Sequence, residues 1–172
     1  SKMLFNSARS SQKKGFTLIE LLVVIAIIGV LASIVLASLN SARRKSRDAR
    51  RIADVKQIQL ALELYFDANN GNYIGNIYTA CGSGALCPSY IPVVPKDPLG
   101  ANYSYAALGS GASCSSYHLG AALEEASNPA LNNDIDAPST DAVCTGGGTN
   151  FAGGGTAPNG DDATTPVYDM KP

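Results

Sequence analysis

Residues 16–39 form an unbroken run of 24 residues in which the only ionisable side chain is Glu20. No water-soluble fold accommodates such a run on its surface. As an α-helix it would extend ~36 Å at ~1.5 Å per residue, more than the ~30 Å hydrocarbon core of a bilayer. A lone carboxylate five residues into a membrane helix is expensive and calls for a partner. Cutting the chain between Gly15 and Phe16 creates one. The new α-amino group at Phe16 lies four residues before Glu20, on the same helix face. Residues 1–15 carry Lys2, Arg9, Lys13 and Lys14 and no acid, which predicts that this end stays cytoplasmic and the rest of the chain faces outward. A cleavable secretory signal fits poorly. The apolar run is too long, no small-residue cleavage site closes it, and the basic-then-glycine boundary precedes it. A simple one-pass anchor with an accidental glutamate is the remaining bland reading.

The segment Gly15-Phe16-Thr17-Leu18-Ile19-Glu20 resembles the processing motif of type IV prepilins and of the related type II secretion pseudopilins. The resemblance covers residues 13–39 best, continues to about residue 70, and thins to short matches beyond. It implies a prepilin peptidase that cuts after Gly15, N-methylation of Phe16, and a role for Glu20 in methylation and filament assembly. It also implies self-assembly into a helical filament on an inner-membrane assembly platform. Many pilins carry a proline near the end of the apolar run; this chain has none there. Gly29, disfavoured in a helix by ~1 kcal/mol relative to alanine, is the only marked weak point.

Four segments are expected: a basic leader at 1–15, a transmembrane and filament-core helix at 16–40, an amphipathic basic stem at 41–70, and an extracytoplasmic head at 71–172. Ile52, Val55, Ile58, Leu62, Tyr65 and Phe66 recur at helical spacing, so the helix should run from about Thr17 to Asn69 with one apolar stripe. Asn69-Asn70-Gly71 then supplies a helix stop. Residues 102–108 and 116–123 read as strands, with a weaker third at 165–170, and residues 146–160, with seven glycines, read as a loop. The fold class is α+β: a long N-terminal helix packed against a small antiparallel sheet.

The net charge of −1 hides an asymmetry: residues 41–56 hold seven cations against two acids, and residues 57–172 hold two cations against eleven acids. Three readings follow: a solvated helix face, pairing of one subunit's stem with a neighbour's head, or binding of lipid or nucleic-acid phosphates, the last without further support. Cys81, Cys87, Cys114 and Cys144 all lie in the head, which favours disulfides in an oxidising compartment. Of three pairings, Cys81–Cys87 with Cys114–Cys144 is preferred. Zinc lacks a CxxC pair, and His118 is the only histidine. No catalytic constellation or cofactor motif is present, so the chain is not expected to be an enzyme. His118, alone in a predicted strand, reads as a packed or surface residue. The Pro95-Lys96-Asp97-Pro98-Leu99-Gly100 turn, with Tyr103 and Tyr105 after it, is similar to a loop of major pseudopilins. Those proteins bind calcium near the C-terminus; here Asp161 and Asp162 offer hard oxygens, but their spacing is not diagnostic.

Two filament readings result. The first is a type IV pilus-like subunit, anchored in the cytoplasmic membrane as precursor and then extracellular. The alternative is a major-type pseudopilin forming a periplasmic rod. A third possibility is a non-polymerising, membrane-anchored binding module.

Overall fold

The computed structural model describes residues 15–135, 140–151 and 166–172. Residues 1–14 of the leader, the end of the glycine-rich stretch, and Asp161 and Asp162 lie outside the described residues. Two compact units divide the chain, Ser1–Ser41 and Ala42–Pro172. One helix, α1 (Leu18–Ala68), contributes to both.

Among the described residues of the first unit, α1 has no apolar partner. Every large apolar residue from Phe16 to Leu39 is at least 41% exposed, and the helix is long and apolar enough to cross a membrane. Gly29 does not interrupt it. The Ser33 hydroxyl bonds back to the Gly29 carbonyl at 2.8 Å and the Val30 carbonyl at 2.9 Å. Such back-bonding satisfies a serine inside an apolar helix and favours slight bending.

In the second unit, the amphipathic half of α1 lies against a three-stranded antiparallel sheet. The strands are β1 (Ser104–Ser110), β2 (Ser113–Ala122) and β3 (Val167–Met170), in the order β1-β2-β3. Val55, Ile58 and Leu62 are fully buried, and Ile52, Tyr65 and Phe66 pack on their flanks. Burying one such aliphatic side chain is worth ~1.5–3 kcal/mol, so the stripe is the main adhesive between helix and sheet. The helix closes where expected. Asn70 takes φ 54°, and the Gly71 N–H bonds to the Phe66 carbonyl at 3.1 Å, the long-range bond of a Schellman cap.

Both strand boundaries in the hairpin differ from expectation. β1 starts at Ser104 because Asn102 and Tyr103 belong to the preceding turn: Asp97 N–H bonds to the Ala101 carbonyl at 2.9 Å, and Tyr103 N–H to the Tyr78 hydroxyl at 2.9 Å. The pairing then runs on past a register shift between Leu108 and Ser110, so β2 begins at Ser113. Gly109, at φ 153°, makes that bulge possible; a Cβ there would collide with the Ser113 carbonyl. Central β2 is buried on both faces. Tyr117, on one face, bonds Glu63 of α1; the ring of Phe151 covers His118 and Gly120 on the other.

Disulfides join Cys81 to Cys87 (Cα–Cα 4.8 Å) and Cys114 to Cys144 (Cα–Cα 5.4 Å). The second ties β2 to the 142–147 segment, which also bonds the outer edge of β1 through Ala107 and Gly109. No group of three or more metal-binding side chains is found among the described residues.

Candidate functional site

At the N-terminal end of α1, Thr17 and Glu20 cap each other. Glu20 N–H donates to Thr17 Oγ1 at 3.3 Å, while Glu20 Oε2 accepts from Thr17 N–H at 2.9 Å and from the Thr17 hydroxyl at 2.7 Å. This is a capping box, Thr-x-x-Glu, and it satisfies backbone donors that the helix itself leaves unpaired. With the Gly15–Phe16 peptide bond intact, the glutamate therefore already has a polar partner. The four-residue spacing drew attention to Phe16; the three-residue Thr-x-x-Glu signal was equally legible. Gly15 and Phe16 are exposed.

The second polar cluster was not foreseen. The stripe of α1 extends upstream at spacings of three and four through Arg51 and Asp48, both buried. Asp48 accepts the backbone N–H of Glu124 at 3.0 Å, that of Glu125 at 3.0 Å, and Arg51 Nη1 at 2.8 Å. Arg51 Nη1 also donates to Glu124 Oε1 at 2.9 Å, and its other edge grips both oxygens of Asp97, Nη2 to Oδ1 at 3.2 Å and Nε to Oδ2. Arg47 forks onto Glu124 at 2.7 and 2.5 Å. Paired forks of this kind are the strongest arginine–carboxylate geometry. Arg47, then Arg51, hold the Glu124 carboxyl down at about 2, and Arg51 holds Asp97 below its ordinary value. The Asp97 hydrogen bond raises Arg51 further above its ordinary range, and that of Glu124 raises Arg47.

A turn and a strand end thus converge on one helix face. The 95–100 turn delivers Asp97, whose Oδ1 also accepts Leu99 N–H at 2.8 Å. The end of β2 delivers Glu124. A cleft of about 550 Å³ opens beside them, lined by Arg44, Arg51, Asp97, Tyr103, Leu123 and Glu124. Its Arg51, Asp97 and Glu124 already pair with one another, so it is poorly equipped to bind a further ion.

His118 is fully buried. Nε2 lies 2.7 Å from Asp169 Oδ2 and Nδ1 lies 2.8 Å from Asn150 Oδ1, and Phe151 stacks on the ring at 3.8 Å. These contacts pin residues 150–151 and β3 to β2. The packed role follows from them.

The chain matches the family model described as the prokaryotic N-terminal methylation motif over residues 10–36. It is similar to several proteins named type II secretion system core protein G. That of Dickeya chrysanthemi is 33% identical over 106 residues, covering 54% of this chain and 67% of the relative. That of Vibrio cholerae is 30% identical over 129 residues, covering 66% and 84%. That of Klebsiella pneumoniae is 31% identical over 136 residues, covering 71% and 94%. No solved structure matches the chain. With a processing motif at the head of an apolar helix, an α+β second unit, and relatives aligned over most of their length, the chain belongs to the type IV prepilin and type II secretion pseudopilin family.

Proposed function

We propose that this protein is a structural subunit of a type II secretion pseudopilus, the rod reading rather than the surface-pilus reading. The observation that carries the proposal is the bare apolar surface of α1 from Phe16 to Leu39, with Glu20 at its N-terminal end. Lipid covers that surface in the precursor, and other copies of the same helix cover it in the filament. The similarity to core protein G of secretion systems favours the periplasmic rod. The precursor lies in the cytoplasmic membrane with residues 1–15 inside and the second unit outside. A prepilin peptidase cuts after Gly15, Phe16 is N-methylated, and an inner-membrane platform drives assembly. The subunit performs no catalysis.

Glu20 sets the register of assembly. In the precursor its charge is shared with Thr17. After cleavage, the Phe16 ammonium of its own chain or of the neighbour at the filament base supplies the countercharge. Pairing across subunits lowers the cost of carrying the carboxylate in an apolar core and fixes the axial step. Glu20→Ala is expected to leave insertion and leader cleavage intact and to abolish assembly, scored by electron microscopy and crosslinked ladders in cells overproducing the secretion apparatus. Wild-type filament numbers from that variant would overturn the proposed role.

A further inference from the structure

The pairing described above divides the stem's cations into two sets. Arg47 and Arg51 are occupied by Asp97 and Glu124. Asp48 is buried beneath the Glu124 and Glu125 amides, and Asp54 accepts the Tyr103 hydroxyl at 2.7 Å. Among the described residues, no carboxylate bridges Arg43 or Lys45. Arg44 and Arg50, with side chains 52% and 63% exposed, reach Glu125 and Asp54 only at 3.7 Å. Three cations without a close carboxylate partner, Arg43, Arg44 and Lys45, are consecutive and lie four to six residues after Leu39; Lys56, exposed and also unbridged among the described residues, follows eleven residues later.

We propose that Arg43 and Lys45, helped by Arg44, form a cationic collar that binds the phosphates of anionic lipid headgroups where α1 leaves the hydrocarbon. Four to six residues span ~6–9 Å of helix, the depth of one headgroup layer beyond a ~30 Å core. At 3.6 residues per turn, three consecutive cations fan over about 200° of the helix perimeter, all at one depth. A plane of headgroups meets such a fan from several sides, and long side chains lay their stems along apolar surface while their charges seek phosphate. Duplex DNA asks instead for cations aligned along one face. The collar fixes how deeply the precursor sits before assembly.

The test uses the full chain reconstituted in vesicles of equimolar phosphatidylcholine and phosphatidylglycerol, extracted mildly, with the retained lipids measured by mass spectrometry. R43Q/K45Q is expected to lower phosphatidylglycerol enrichment about three- to tenfold, most at low salt. K56Q/K96Q, which removes the same charge farther along the chain, is expected to keep it. Both variants spare the Arg47–Arg51 network, and unchanged thermal unfolding verifies this. Equal enrichment in wild type and R43Q/K45Q, or an equal fall in both variants, overturns the proposal. So does duplex DNA retained through Arg43 and Lys45 with no change in the lipids.

Discussion

Arg51 joins three carboxylates in the buried ion cluster of the second unit. Its guanidinium, only 4% exposed at the side chain, touches Asp48, Asp97 and Glu124. Removing one partner of a buried ion cluster leaves the others desolvated and unpaired, at a cost of ~3–5 kcal/mol. Arg51→Ala should therefore lower the urea midpoint of the full chain in detergent by an amount of that order, while Arg43→Ala barely moves it; equal effects would contradict the assigned geometry. The same cluster fixes a pH dependence. Glu124 is held at about 2 against an ordinary 4.5, and Asp97 below its ordinary 3.8. A depressed carboxylate stabilises the fold above its unfolded pKa, and that stability is lost as pH falls towards the folded value. Thermal midpoints should be flat from neutrality to about pH 5 and fall from about 4.5 towards 2. Glu124→Gln should blunt the fall, and an acid profile identical to wild type would refute the assignment.

At the scale of elements, α1 was legible almost to the residue because its signals agree: an apolar run, a stripe of period 3.6, no proline, and an Asn-Gly stop. Its stripe was read only as far as Ile52, since Asp48 and Arg51 at the same spacing are charged and hydrophobic periodicity is blind to a buried ion pair. The site residues Asp97 and Glu124 come from a turn and a strand end distant in sequence, and no local pattern announces which stem cation each will meet. Strand starts moved by two and three residues for a related reason: Tyr103 is tied down by Tyr78, a tertiary contact, and the Gly109 bulge lengthens the hairpin. The sheet's attachment to α1 rests on the apolar half of the stripe. Leu62→Ala should cost ~2–5 kcal/mol, measured by the same urea titration. Leu60, 64% exposed on the same helix, should cost far less. Similar losses at both positions would mean that the buried face is wrongly assigned.

For the whole molecule, the two units follow different physics. The second stabilises itself through a core, two disulfides and an ion cluster. The first exposes a helix whose apolar surface is uncovered among the described residues, and the proposed life cycle is the passage from a cover of lipid to a cover of further helices. Charge asymmetry was visible in the sequence, but its division into cations spent on carboxylates of the second unit and cations left without a close partner among the described residues was not. That division emerges only once folding has brought residues 47 and 51 against 97 and 124. In the proposed function, a cut after Gly15 converts the anchored precursor into an assembling subunit. The most direct measurement is the intact mass of the full-length chain recovered from membranes of cells with and without a prepilin peptidase. A chain starting at N-methylated Phe16 is expected when the peptidase is present, and residues 1–15 retained when it is absent. A leader kept in both cells, or a cut elsewhere than between Gly15 and Phe16, would contradict that proposal.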